Sequence, residues 1–316
     1  MLNVQLFGVG QVDYDGRSLA GFPTRQSSLL LCYLALNRQR LHNRERLAAV
    51  FWGDYSTAAS RKHLRNTLWQ LRSALQSIGA PADQYLTMGD DSIAFLDSSS
   101  YRLDVKEFEQ AIELCRDVEG WQLTAEQASI LEKASALYTG DLLEGVYEDW
   151  CLYERERLSL LYVNTLSKLT AFHEFQGTYE RGLVYGGRVL ARDPTREIVH
   201  RQMMRLYWLL GDRHEALAQY KLCSQILQEE MGIKPTAKTR LLYERMVHGQ
   251  FDPAQEPIHP TDNLPDRLRN TQSIQPVAQQ LMDRLTHLET ISDETSTELR
   301  DLKHLMTALL EPASHL

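Results

Sequence analysis

Residues 59–76 read ASRKHLRNTLWQLRSALQ, and the N-terminal third of the chain is organised around what this stretch must do. At ~100° per residue Leu64, Leu68, Leu71 and Leu75 fall on one narrow stripe, which has to face a core. Lys62, Asn66, Trp69 and Ser73 fall opposite, with His63 and Gln70 on one flank and Arg61, Arg65 and Arg72 on the other. The stretch contains no acidic residue. Arg and Lys neutralise phosphates, and Arg, Asn and Gln carry the paired donors and acceptors that distinguish base edges in the major groove. Trp69 adds an apolar wedge suited to a sugar or a thymine methyl. A basic amphipathic helix is also what an ordinary solvated face looks like, so its neighbours must decide. Arg72, beside Leu71, has a second reading as a brace of the fold.

Upstream, LNVQLFGVG (2–10) and QVDYDG (11–16) alternate with period two and close on Asp15-Gly16, which predicts a small antiparallel sheet with Gly8 and Gly10 in a strand turn. Pro23-Thr24 then introduces a helix carrying Leu29, Leu30, Leu31, Tyr33, Leu34 and Leu36 and ending near Asn37. Asn43 caps a second helix whose expected buried face is Leu47, Val50, Phe51 and Trp52, stopped by Gly53. The basic helix, Ala58 to Ser77, comes third. After Gly79-Ala80-Pro81, Tyr85–Met88 and Ile93–Leu96 form a hairpin around Gly89-Asp90-Asp91-Ser92. Sheet, three helices and a terminal hairpin is the order of a winged helix, here over residues 1–100. In that position the third helix reads as a recognition helix. The hairpin tip is acidic, where a wing entering the minor groove would carry Arg or Lys.

Residues 101–249 pattern as nearly all helix. Gly177 and Gly211 lie 34 residues apart, and each follows one apolar helix and opens another. Leu183 aligns with Leu217 and Val189 with Cys223, with Gly182 opposite Ala216. That period is the tetratricopeptide one, whose stacked helix pairs leave a groove for protein partners. Residues 250–276 hold Pro253, Pro257, Pro260, Pro265 and Pro276 and read as a linker. Over 277–311, Leu281, Leu285, Leu288, Leu299, Leu302, Met306 and Leu309 follow a heptad seam with a polar centre at Ser292 and Thr295. This predicts a coiled coil and a homo-oligomer; docking on the repeats and a disordered tail are the alternatives. The fold class is therefore mostly α: an α+β winged helix, an all-α tetratricopeptide-like domain and a C-terminal heptad helix.

The net charge of −8 divides unevenly. Residues 1–100 carry 10 Lys/Arg against 8 Asp/Glu, 101–250 carry 19 against 23, and 251–316 carry 5 against 11. Only the first segment meets phosphate without net repulsion. Cys32, Cys115, Cys151 and Cys223 are scattered, with no Cys-x-x-Cys and no clustered histidines, so neither a metal nor a cofactor is expected. The opening lacks a signal-peptide pattern and no long apolar run suggests a membrane span, so the expectation is a cytoplasmic protein. Phosphate-loop, Gly-x-Gly-x-x-Gly, Gly-x-Ser-x-Gly and His-Glu-x-x-His signatures are lacking, and no enzyme is expected.

Several stretches match one family in order. They are LLLCYLALNRQRLHNRERLAAVFWGD (29–54), ASRKHLRNTLWQLRSAL (59–75), LDVKEFE (103–109), YTGDLLEGVYEDW (138–150), ERERLSLLYVNTLSKL (154–169) and the run from His200 to Met246. Residues 1 to about 248 resemble the SARP group of bacterial transcriptional activators, which join a winged helix to a bacterial transcriptional activation domain of tetratricopeptide type. The resemblance implies sequence-specific binding to double-stranded DNA at promoter repeats, often as a dimer, and recruitment of RNA polymerase or a regulatory protein. It places Arg61, Lys62, Arg65 and Asn66 as DNA-contact candidates, to which Trp69, Gln70 and, for phosphate, Arg25 are added. The wing departs from the family, reading SIAFLDSSSYRLDV (92–105) where a Gly-Tyr-x-Leu strand is usual. Many relatives carry a nucleotide-hydrolysing domain after the repeats; a linker and heptad helix stand there instead, so no ATP-driven control is expected within this chain. A protein-interaction adaptor with vestigial DNA binding is the alternative function.

Overall fold

The computed structural model describes residues 1–253 apart from 20, 39, 98 and 99. The linker beyond residue 253 and the whole heptad seam, Leu281 to Leu309, lie outside the described residues.

The chain opens with β1 (Leu2–Gln5), β2 (Gln11–Tyr14) and β3 (Arg17–Ser18), antiparallel neighbours as the alternation predicts. The sheet is not purely antiparallel, however. A strand at Tyr101–Leu103 adds in parallel to the free edge of β1, with Leu2 opposite Tyr101 and Val4 opposite Leu103. Only pairing partners 99 residues apart in sequence reveal it. The helix α1 (Arg25–Leu36) starts at Thr24, whose hydroxyl accepts from Ser27 N while the Ser27 hydroxyl answers the Thr24 backbone, a reciprocal capping box. After β4 (His42–Asn43) comes α2 (Arg44–Trp52), capped by Asn43, whose side chain accepts from Glu45 N and Arg46 N. Its buried face is Leu47, Ala48 and Trp52; Val50 is exposed, contrary to the sequence expectation. Ala48 and Trp52, one turn apart, centre the stripe, and Val50, two residues from each, points away.

The basic helix, α3, runs Thr57–Ser77 from the N-cap Ser56. Next come a short α4 (Ala82–Tyr85), which absorbs the Tyr85 expected in a strand, β5 (Leu86–Met88) and β6 (Ser92–Phe95). β5, β6 and β4 make a second, three-stranded antiparallel sheet, the wing. The strand at Tyr101–Leu103, now β7, leads into the helical part: α5 (Asp104–Glu113), α6 (Ala125–Leu137), α7 (Asp149–Phe175), α8 (Tyr179–Arg192), α9 (Glu197–Leu209), α10 (Arg213–Met231) and α11 (Ala237–Val247).

Gly177 and Gly211 close α7 and α9 in left-handed conformations, φ +72° and +84°, which only glycine adopts without strain. The aligned Gly182 and Ala216 are both buried, as are Val189 and Cys223, so the 34-residue correspondence is one of packing positions. All four cysteines are free and buried. Phe251, placed by sequence in the linker, is 5% exposed and packs with Trp208, Met204, Ala216, Leu242 and Met246. The ordered fold therefore runs past Gln250, because an aromatic side chain has an apolar site to fill there.

One buried cluster runs from Leu2 through Leu71 and Phe108 to Met203, joining the N-terminal part to the helices. The junction is hydrogen-bonded as well as apolar. Buried Asp104, at the start of α5, accepts from Leu6 N at 2.8 Å and Phe7 N at 2.9 Å. Phe7 packs on Phe108 and Tyr138, with ring centroids 5.4 and 4.6 Å away. Removing that carboxylate would leave buried N–H groups unpaired, at roughly 1–3 kcal/mol each.

Candidate nucleic-acid interface

The inner face of α3 holds it in place. Leu64, Thr67, Leu68, Leu71, Ala74 and Leu75 are buried, and each fully buried leucine contributes about 1.5–3 kcal/mol. Ser60 Oγ donates to Trp52 O at 2.8 Å, tying the first turn of α3 to the end of α2. His63 stacks on Trp52 with an interplanar angle of 16°. The helix is thus fixed chiefly by apolar burial.

The polar face of α3 divides into free and engaged groups. Lys62, Arg65 and Asn66 are exposed, and Trp69 is 69% exposed, an unusual position for an indole. Among the described residues, no ion pair ties down Lys62 or Arg65. Arg61 is exposed but pairs with Glu45 of α2. Gln70 is half-buried, and its Oε1 accepts from the Thr24 hydroxyl at 2.8 Å, so it supports the cap of α1. Arg25 meets Glu148, at the N-terminus of α7, at 3.3 Å. Arg72 pairs with Asp83 of α4 at 2.5 Å, which favours its reading as a brace. The structure therefore brings Arg61, Lys62, Arg65, Asn66 and Trp69 onto one open surface, whereas Gln70 and Arg25 bind other parts of the chain.

Glu45, Glu148 and Thr24 were not expected near this surface. Arg25 and Glu148 are 123 residues apart, and no local pattern links them. The wing tip is pinned rather than loose: Arg44 Nη1 donates to Gly89 O at 2.9 Å and Arg44 N to Asp91 O at 3.1 Å. Asp90 and Asp91 stay exposed, so the tip presents two carboxylates.

Nothing in the described residues groups three or more potential metal ligands, and no described helix is long and apolar enough to cross a membrane. A basic helix with a buried leucine face is thus joined to a stack of helix pairs. Residues 103–247 match the bacterial transcriptional activator domain family. The match covers the helical part of the chain, from the last residue of β7 to the end of α11. The chain is 25% identical over 251 residues to the regulatory protein AfsR of Streptomyces coelicolor. That alignment takes in 76% of this chain and 23% of AfsR, so the chain spans less than a quarter of the relative's length. Its fold is similar to that of Mycobacterium tuberculosis EmbR, solved in complex with a low-affinity phosphopeptide. The TM-score is 0.63 at 20% identity, over 80% of this chain and 67% of EmbR.

Proposed function

We propose that the chain is a sequence-specific, DNA-binding transcriptional activator that reads promoter repeats with α3. The observation that carries this reading is the open stripe of Lys62, Arg65, Asn66 and Trp69 on a helix that has no acidic residue and a fully anchored opposite face. Lys62, with Arg61 exchanging Glu45 for phosphate, supplies the salt-sensitive backbone term; Arg65 and Asn66 supply base readout. The helical repeats contact RNA polymerase or a regulatory protein, and the 277–311 seam joins copies of the chain so that two recognition helices meet a repeated site. The chain acts in the cytoplasm, where the DNA is.

The test is selection of bound sequences from a random duplex library by the full-length protein. A repeated motif should be enriched, and Arg65→Ala should weaken binding to it by roughly 1–3 kcal/mol. Unchanged binding by an Arg61/Lys62/Arg65 triple-Ala variant would remove α3 from the interface. The acidic wing tip favours one second reading, a protein-interaction adaptor. If no motif is enriched and a stoichiometric partner covering α3 co-purifies, that reading replaces the first. Deleting residues 275–316 should lower the mass measured by light scattering to that of one chain; an unchanged oligomer would sink the coiled-coil assignment.

A further inference from the structure

A cleft of about 560 Å³ lies where the N-terminal part meets the helices, lined from the end of α1, the segment after β6, and α5, α6 and α7. Ligand pockets typically occupy about 300–1,000 Å³. Its charge runs against the rest of the molecule. Five cationic side chains, Arg38, Lys106, Arg116, Arg157 and Lys168, face three carboxylates, Asp97, Glu109 and Glu113, in a chain of net charge −8. Each carboxylate is already neutralised within the wall. Asp97 is bound by Lys106 at 2.7 Å, Glu109 by Arg38 at 3.0 Å and by Arg157 at 2.5 Å, and Glu113 by Arg116.

Two cationic groups retain unused donors. The Arg38 side chain is only 9% exposed, yet its Nε–H makes no hydrogen bond, the nearest carboxylate oxygen, Asp97 Oδ1, being 3.9 Å away. A buried guanidinium N–H without an acceptor is costly, and an anion in the cleft would offset that cost by charge-assisted contact with the guanidinium group. Lys168 donates to the carbonyls of Cys115 and Arg116 at 2.7 and 2.8 Å, two neutral acceptors for three N–H bonds. Burial pulls its ammonium below the ordinary lysine range. The remaining wall is mixed: Ile112, Leu131 and Leu161 supply apolar surface, beside the polar Gln110, Asn164 and Thr165.

We infer that this cleft is a binding site for a small organic anion, a carboxylate, sulfonate or phosphate on an apolar body. The anionic group is received by Arg38, with Arg157 and Lys106 giving up part of their present pairing with Glu109, Glu154 and Asp97, and the body lies over Ile112, Leu131 and Leu161. Because Arg38 follows α1 while Lys106 and Arg157 belong to α5 and α7, an occupant would bridge the winged helix and the activation domain.

The experiment uses the full-length protein and 8-anilinonaphthalene-1-sulfonate, an anionic group on an aromatic body. Its neutral analogue N-phenyl-1-naphthylamine serves as the control. One saturable site is expected, with the neutral analogue bound about tenfold or more weakly, a factor of ten being 1.4 kcal/mol. Ile112→Trp, which fills the cleft, and Arg157→Gln, on a partly exposed side chain, should each weaken sulfonate binding about tenfold. Arg157→Lys should restore most of it, with far-UV circular dichroism unchanged in both Arg157 variants. The inference is overturned by the lack of a saturable site, by equal binding of the neutral analogue, or by Arg157→Gln binding as tightly as the parent.

Discussion

At the level of single residues, the open surface of α3 is defined by which cations are occupied. Arg65 and Arg72 are seven residues apart on one flank of α3 and indistinguishable by type, yet Arg72 is held by Asp83 while Arg65 has no such partner. Arg72→Ala should leave affinity for the selected DNA site within about 0.5 kcal/mol of the parent. It should also cost under about 1 kcal/mol of stability in a urea melt, since exposed pairs contribute little. A loss of DNA affinity matching that of Arg65→Ala would show that Arg72 reads DNA. Gln70 teaches the same lesson in the other direction: its amide suits a base edge, but the Thr24 hydroxyl already engages its oxygen.

At the level of elements, α3 and the wing present opposite charge: α3 has no acidic residue and the wing tip carries Asp90 and Asp91. Asp90 and Asp91 sit on a tip whose backbone is held by Arg44, which keeps both carboxylates on the exposed end of the hairpin. Replacing both by Lys should raise DNA affinity and steepen the dependence of log K on log salt by up to ~2, about one unit per phosphate newly contacted. Unchanged affinity and slope would mean that the wing stays off the backbone. The elements themselves were largely legible. Thr24, Asn43 and Ser56 cap α1, α2 and α3 close to where capping preference and apolar spacing set those helices, because these signals act within a few residues. Val50 was not legible, because which side of a nine-residue helix is buried depends on the neighbours it packs against.

At the level of the whole molecule, one core spans both parts, and its polar members link stability to pH. His42, His173 and His200 all have pKa values lowered chiefly by burial. His200 accepts from Gln219 Nε2 at 2.7 Å and donates to the Pro194 carbonyl at 2.8 Å, which suits a neutral ring. The unfolded chain binds protons near pH 6.5 while the folded protein resists them, so the unfolded state carries more protons in that window. The contribution of these rings is complete above about pH 6.5 and declines as pH falls toward the depressed folded values. The Tm should therefore fall more between pH 7 and 5.5 in the parent than in His200→Gln; equal falls would remove His200 from the effect.

The sequence by itself determined the first three helices, the Asn43 cap, a nearly all-helical second part with its 34-residue correspondence, the hairpin with its acidic tip, and a third helix with one leucine face and one basic face. All of these depend on interactions within a few residues or on periodicity along one element. The tertiary structure decided the rest: β7 beside β1, Phe251 in the core, Asp104 under the Leu6–Phe7 turn, Arg25 held by Glu148, and the cationic cleft between α1, α5 and α7. Each of these needs groups far apart in sequence to meet. Ion pairing and burial are settled by distance in space, which spacing along the chain does not encode.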